Sequence, residues 1–363
     1  MKTKLSSTDL FFDDIKEPEK LRIAIVLPVY NTSLYLQECL NSLIQQSHTN
    51  FIVFAIDDGS TDDSGNILDA YAAKDKRIRV SHIKNGGVSA ARNYALKKIE
   101  EDGCFHLVAF CDSDDFVSPD FLQLYAYGAT KFRAQFITIG YTKFNKDGVI
   151  QNRKKVRHPP ISLTGENLLS FGLTLHSRSS KSPATAYFLN NVALCAWLIR
   201  GVRFDQNRSI GEDAEYRFRV ILRLTKGVAF SDIGYHYRIR KSSLSNQISL
   251  SSLCSELELY LGWQREEKIP LDFSKNIKHL LYKKFRQIII WAYEHDELDR
   301  LWEQLRVYHK GIRKTSVFPS AGIDIFFLFL CGSRILKSYL YFIRREARSS
   351  EEKLAFKMIS AFD

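Results

Sequence analysis

Between Leu21 and Cys111 the chain alternates strand signals with helix signals, and no other feature limits its fold as strongly. Ile23–Pro28 is apolar throughout, the mark of a strand covered on both faces. Asn31-Thr32-Ser33 then caps a segment in which Leu36, Cys39, Leu40, Leu43 and Ile44 recur at helical spacing. The pattern continues with Phe51–Ile56 as a strand, a helix capped by Asp62 or Asp63 and running through Ala73, and Ile78–Ile83 as a third strand. Gly86-Gly87 opens a helix through Ile99, and His106–Cys111 is the fourth strand. Such βα units predict an α/β fold with a parallel, doubly wound sheet and ligands at the carboxyl ends of its strands.

After Ser118 the rhythm changes. A helix follows Ser118-Pro119, Gln135–Gly140 reads as a strand, and residues 147–160 and 177–183 read as polar, basic loops. Asn190–Ile199 and Gly227–Arg240 supply further elements, separated by a helix from Asp213 to Leu224. Beyond Leu250 the chain reads as mainly helical, with Ile277, Leu280, Leu281, Phe285, Ile288, Ile289 and Ala292 on one stripe. These shifts predict an N-terminal tail (1–20), a domain over 21–250 and a helical region over 251–363. The large domain would divide near Ser118 into two halves, 21–118 and 119–250.

With 45% hydrophobic and 26% charged residues in 363, the composition excludes disorder, collagen and a disulfide scaffold. The six cysteines show no C-x-x-C spacing and read as reduced thiols of a cytosolic protein. Residues 1–20 contain no signal-peptide apolar run. Between Arg306 and Arg348 nine Lys or Arg face only Asp324 and Glu346, so most of the formal charge of +11 belongs to the tail. No finger, helix-turn-helix or basic-aromatic pattern points to nucleic acid.

Polar residues gather where the fold places a ligand. Strand 1 ends in Pro28-Val-Tyr30-Asn31 and strand 2 in Asp57-Asp58-Gly59-Ser60. The loop after strand 3 contains Gly87-Val-Ser-Ala-Ala-Arg92-Asn93, and strand 4 ends in Asp112-Ser113-Asp114-Asp115. Any one of these segments fits a helix cap, but four in order at successive strand ends place carboxylates together. Carboxylates so placed repel one another and favour a cation, and oxygen ligands suit Mg²⁺ or Mn²⁺ bridging to phosphates.

On these residues the chain resembles glycosyltransferase family 2, over roughly Arg22 to Ser245. The resemblance implies a GT-A fold, a Rossmann-like, mostly parallel sheet flanked by helices. It implies that Pro28, Tyr30, Asn31, Asp57, Asp58, Gly87, Arg92, Asp112 and Ser113 hold a nucleotide sugar and that Asp114 binds Mn²⁺ or Mg²⁺. Glu212-Asp213 matches the family's Glu-Asp motif, in which the Asp is the catalytic base. Tyr237-Arg238, followed by Ser243-Leu-Ser245, matches a segment that closes over the diphosphate and brings in Arg240 and Lys241. By the same resemblance His236 is either a second metal ligand or a structural hydrogen-bonder.

Physical reasoning agrees. A sugar diphosphate releases a dianionic leaving group, so a Lewis acid with Arg92, Arg240 or Lys241 can take the place of a protonating acid. One carboxylate then deprotonates the acceptor hydroxyl, giving inversion in one step. The resemblance implies a UDP-hexose donor and a saccharide or lipid-linked acceptor in a bacterial capsule, exopolysaccharide or lipooligosaccharide. The rival expectation is an inactive transferase-like adaptor at a membrane. A dinucleotide-dependent dehydrogenase is excluded by the absence of glycine after strand 1. Trp197 reads as core, with acceptor stacking as the alternative. Residues 315–348, apolar around Ile325–Cys331 and flanked by basic residues, fit either core packing or contact with the inner face of a membrane.

Overall fold

The computed structural model describes residues 17–145, 148–149, 159–172, 189–208, 210–240, 249–264 and, intermittently, 266–301. The chain divides into two compact units, Met1–Asn246 and Gln247–Asp363. In the first unit β1 (Ile23–Val29), α1 (Ser33–Ile44), β2 (Phe51–Asp57), α2 (Ser64–Lys74), β3 (Ile78–His82), α3 (Val88–Asp102) and β4 (Leu107–Phe110) follow in turn. Then come β5 (Phe116–Val117), α4 (Phe121–Phe132), β6 (Phe136–Asn145), β7 (Gly148–Val149), β8 (Ile161–Thr164) and α5 (Gly165–Gly172). A 3-10 turn at Leu189–Asn191 leads into β9 (Val192–Cys195), α6 (Glu212–Ile221) and β10 (Lys226–Arg238).

The strands form one sheet in the order β3-β2-β1-β4-β9-β6-β10-β5, with β7 beside β6 and β8 beside β10. Pairing is parallel from β3 to β4, as the alternation of elements predicts. β6 and β10 are also parallel. Between these blocks β9 runs antiparallel to both β4 and β6. All four of its residues are buried, so its apolar run cannot be told from that of a parallel strand.

Proline is tolerated in β1 for a specific reason. Val26 O accepts from Cys111 N on the β4 side, and residue 28 has the same parity, so its missing N–H faces a region where β4 pairing has already stopped. The core is built from the inner faces of β1, β2 and β4, from Leu36, Cys39, Leu40 and Leu43 of α1, and from the fully buried Tyr125 and Tyr235. Trp197 packs partly buried against this core, in accord with its structural reading.

α2 begins at Ser64 with Asp63 at its N-cap, one of the two residues expected there, and Asp62 bonds outside the helix: its Oδ2 accepts from Ser33 N and its Oδ1 from Ser64 N, each at 3.0 Å. One carboxylate thus serves the first turns of two helices. β6 extends five residues past Gly140, held against the longer β10. Gly140 permits this, since a Cβ there would lie 2.8 Å from Ser231 O and 2.9 Å from Asp232 O, where the β10 register shifts. After the shift, β10 carries Tyr235 to Arg238 toward the end of β4.

In the second unit α7 spans Leu250–Gln264, and Ile277, Leu281, Ile288, Ile289 and Ala292 are buried. Leu280, Phe285, most of the loops from 147 to 183, and the tail with its basic residues lie outside the described residues. Among the described residues no helix is long and apolar enough to cross a membrane. Cys39, Cys104, Cys111, Cys195 and Cys254 are free thiols.

Candidate active site

The carboxyl ends of β1 and β2 are laced together by short polar side chains. Asn31 sits at φ 50° and its Oδ1 accepts from Thr61 N at 2.8 Å, while its own N–H donates to Ser60 Oγ at 3.1 Å. Asn is among the few residues that adopt this left-handed conformation readily. Tyr30 beside it is half exposed, and Pro28 is half buried. Thr32 Oγ1 donates to Ser113 Oγ at 3.0 Å, which joins the β1 end to the β4 end.

Both acids of the β2 end are buried and engaged. Asp57 Oδ1 accepts from Ser60 N at 3.0 Å and its Oδ2 pairs with His82 Nδ1 at 2.8 Å. Burial pushes the Asp57 carboxyl up, but the bonds from Ser60 and His82 outweigh it and hold the group below its usual range. His82 is raised by Asp57 and Asp69 in turn. Asp58 accepts from Gly86 N and Gly87 N, both at 2.8 Å, one on each oxygen. Gly87, at φ 87°, is the N-cap of α3, so Asp58 sets the turn that aims this helix.

The β4 end carries three acids, each with its own partner. Asp112 Oδ1 lies 3.2 Å from Arg92 Nη2, and its Oδ2 accepts from Asn190 Nδ2 at 2.5 Å. Asp114 Oδ2 lies 2.5 Å from Arg240 Nη2. Burial and the Asp112 charge push Asp114 above the normal carboxylate range, with Arg240 and Arg238 opposing. Asp115, almost fully buried, accepts from Tyr235 O–H at 2.5 Å and from Arg238 N at 2.7 Å; burial with Asp114 and Asp112 nearby raises it well above normal.

Arg92 joins this end to the second half of the unit. It projects from α3, is 5% exposed, and places Nη1 3.0 Å from Glu212 Oε1. Desolvation works against its charge, but Asp112, Glu212 and Asp213 together raise its pKa. Glu212 itself is pushed up by burial and by Asp213, against the pull of Arg92. Asp213 stands in the first turn of α6, where its Oδ1 accepts from Ala214 N at 2.7 Å and its charge faces the helix N-terminus. The turn into α6 is made by Gly211 at φ 73°.

His236 is not gathered with Asp114. Its Nε2 shares a hydrogen bond with Ser118 Oγ at 2.9 Å, its ring stacks on Phe116 at 4.4 Å, and burial lowers its pKa. That is the structural alternative of the two open for it. Among the described residues no group of three or more His, Cys, Asp or Glu side chains is set to hold a metal ion. Asp112 and Asp114 nevertheless suit a hard cation shared with a diphosphate, since such ions use one or two carboxylates and take the other ligands from phosphate and water. The raised Asp114 is a carboxylate that a cation would stabilise. Lys241 lies outside the described residues.

Sequence reasoning assigned no role to Asn190, Tyr235 or Asp115. Asn190 comes from the 3-10 turn before β9 and Tyr235 from the strand past the β10 register shift, with no motif around either. Asp115 adjoins the Asp112-Ser-Asp114 motif, and its Tyr235 partner lies 120 residues away.

The sequence profile of Glycosyl transferase family 2 matches residues 24–189. The chain is 30% identical over 231 residues to Glycosyltransferase GlyA of Streptococcus pneumoniae serotype 4, covering 62% of this chain and 31% of that protein. With Glycosyltransferase GlyG of the same organism it shares 27% identity, covering 70% and 79%. Uncharacterized glycosyltransferase EpsJ of Bacillus subtilis is 34% identical over 34% of this chain and 35% of its own length. The chain thus spans about a third of the length of GlyA and of EpsJ. Among solved structures, S. aureus TarS 1-349 in complex with UDP-GlcNAc aligns over 91% of this chain and 92% of that one, with TM-score 0.65 and 19% identity. The mannosyltransferase PcManGT from Pyrobaculum calidifontis, in complex with GDP-Man and Mn²⁺, aligns over 83% and 85% with TM-score 0.50 and 14% identity. At these identities the structures establish a shared fold.

Proposed function

Residues 24–189 are a glycosyl transferase family 2 domain, and from that premise we propose that the chain transfers a hexose, with inversion, from a UDP-sugar to a saccharide acceptor of a bacterial surface glycan. The observation that carries this reading is the Arg92 bridge, which ties Asp112 at the end of β4 to Glu212 beside Asp213. In this reading one buried cation stands between a donor-side acid cluster and an acceptor-side carboxylate. TarS and PcManGT, which share the fold, hold UDP-GlcNAc and GDP-Man. GgaB of Bacillus subtilis, a minor teichoic acid biosynthesis protein 27% identical over 78% of this chain, supports a surface-glycan product.

In this reading Tyr30, Asn31, Asp57 and Asp58 frame the nucleoside at the ends of β1 and β2. Asp112 and Ser113 receive the ribose or sugar. Asp114, with Asp112, would hold Mn²⁺ or Mg²⁺, which when bound neutralises charge on the diphosphate. Arg92 and Arg240 add positive charge to the same side. Asp213 accepts the proton of the acceptor hydroxyl as its oxygen bonds to the anomeric carbon and the carbon–diphosphate bond breaks. Glu212, fixed by Arg92, orients the first turn of α6. The basic tail would hold the enzyme at the inner face of the membrane, near a lipid-linked acceptor.

Incubating the purified chain with a panel of UDP-hexoses and Mn²⁺ tests the proposal. Release of UDP and a product of inverted anomeric configuration by NMR are expected. Tight donor binding with neither hydrolysis nor transfer would favour the inactive adaptor.

A further inference from the structure

Arg92 is a buried cation whose orientation needs an explanation beyond its two carboxylates. Its Nε is buried and has no hydrogen-bond partner among the described residues. Leaving a buried donor unsatisfied is costly, so the guanidinium stands where it does because its surroundings enforce it. The surface it rests on is Phe204, whose ring centroid lies 5.3 Å from the guanidinium carbon.

Phe204 is fixed from several directions. Its ring is buried, stacks on Tyr216 of α6 at 4.0 Å with an interplanar angle of 5°, and meets Phe110 of β4 edge-on at 6.1 Å. Its backbone is held by one side chain: Phe204 N donates to Asn93 Oδ1 at 2.7 Å, and Asn93 Nδ2 donates to Phe204 O at 2.9 Å. Asn93 follows Arg92 directly in α3, and consecutive helix positions diverge by about 100°. One residue of α3 therefore reaches the acid cluster while the next grips the segment that supports it.

We propose that Asn93 and Phe204 are positioning residues for the transfer reaction: together they hold Arg92 in the orientation that fixes Glu212, and with it the first turn of α6, against Asp112. The proposal rests on the transferase reading for its effect on turnover, but not for its effect on Arg92. The segment has anchors that do not involve Asn93. Arg203 pairs with Glu100 at 2.5 Å, Gly201 N donates to Glu100 Oε1 at 2.8 Å, and Arg219 Nη2 donates to Arg203 O at 2.5 Å. Loss of the brace should thus misplace Arg92 without unfolding the unit.

The test uses the full chain with Asn93→Ala, Phe204→Leu and, as the variant that keeps the ring, Phe204→Tyr. The first readout needs no turnover. In ¹⁵N-arginine-labelled protein, with Arg92→Lys identifying the signal, Arg92 should give separate, slowly exchanging Nη resonances. These should average in Asn93→Ala and Phe204→Leu and persist in Phe204→Tyr. The second readout is kinetic. Both disruptive variants should lose about tenfold in kcat, no more than Glu212→Gln and within the roughly 10²-fold scale of a 1 Å misplacement, with a smaller change in KM for the donor and Phe204→Tyr close to the parent. An Arg92 signal that stays rigid in both disruptive variants overturns the proposal, as does a kcat loss no larger than the loss of folded protein. Absence of transfer in the unaltered chain would count against the transferase reading alone, and the Arg92 resonances would then decide the brace.

Discussion

Arg240 closes on Asp114 with Nη2 and Oδ2 2.5 Å apart, so the carboxylate suited to a divalent cation already has a cation against it. The pair is partly buried, with side-chain exposures of 27% and 16%. A metal ion held as proposed would therefore compete with Arg240 for Asp114 until a diphosphate offered Arg240 a second anion.

This competition has a measurable sign. Arg240→Ala should raise the affinity of the nucleotide-free protein for Mn²⁺ by about fivefold, the equivalent of roughly 1 kcal/mol for such a pair. The same substitution should weaken UDP binding. Calorimetry with Mn²⁺ alone and then with UDP separates the two effects; a parallel loss of both affinities would mean that Arg240 does not oppose the metal. Asp114→Ala should abolish metal stimulation and tight nucleotide binding together, and full activity in excess EDTA would contradict the metal assignment.

Asp213→Asn keeps size and hydrogen-bonding capacity but cannot take a proton. UDP affinity should stay near that of the parent while transfer falls roughly 10²-fold or more. Glu212→Gln should cost less, through a loosened Arg92. Nucleotide affinity measured beside the transfer rate for each variant checks the assignment. Near-normal transfer by Asp213→Asn with a dead Glu212→Gln would move the base to Glu212.

Asp62 links the first turns of α1 and α2. Its side chain is exposed; desolvation raises its pKa, but the bonds from Ser64 and Ser33 prevail and bring it to about 2, below the unfolded value of about 3.9. A depressed carboxyl stabilises the fold above the unfolded pKa and loses that contribution as pH falls through the folded one. Solvent screens an exposed charge, so Asp62→Asn should lower stability at pH 7 by only about 0.5–1 kcal/mol. Denaturation curves should show the gap between variant and parent closing between about pH 4 and pH 2. A constant gap across that window would remove Asp62 from the acid response.

The basic tail should bind anionic vesicles through charge. Replacing Arg344, Arg345 and Arg348 with Gln in the full chain should weaken vesicle sedimentation while leaving UDP binding unchanged, at about 1 kcal/mol per cation near the surface. Added salt should have the same effect. Vesicle binding insensitive to both would place this segment in the core.

The alternation from Ile23 to Phe110 was legible in the sequence because β1, β2 and β4, buried on both faces, leave unbroken apolar runs, the edge strand β3 keeps a strand's spacing of Ile78 and Val80, and helix caps mark what lies between. The four strand-end motifs were legible for the same reason, since each lies where a strand must give way to a turn. The direction of β9 was not, because a short buried strand has the same pattern whichever way it runs. Nor were the partners: Asn190 on Asp112, Tyr235 on Asp115 and Arg240 on Asp114 join residues 78, 120 and 126 positions apart. His236 shows the limit most plainly, since sequence left it either a ligand or a hydrogen-bonder, and the strand that carries it put its Nε2 on Ser118. Periodicity and caps are local properties that the sequence by itself determined. Which acid meets which cation depends on how distant strand ends converge, and that was decided only when the sheet closed.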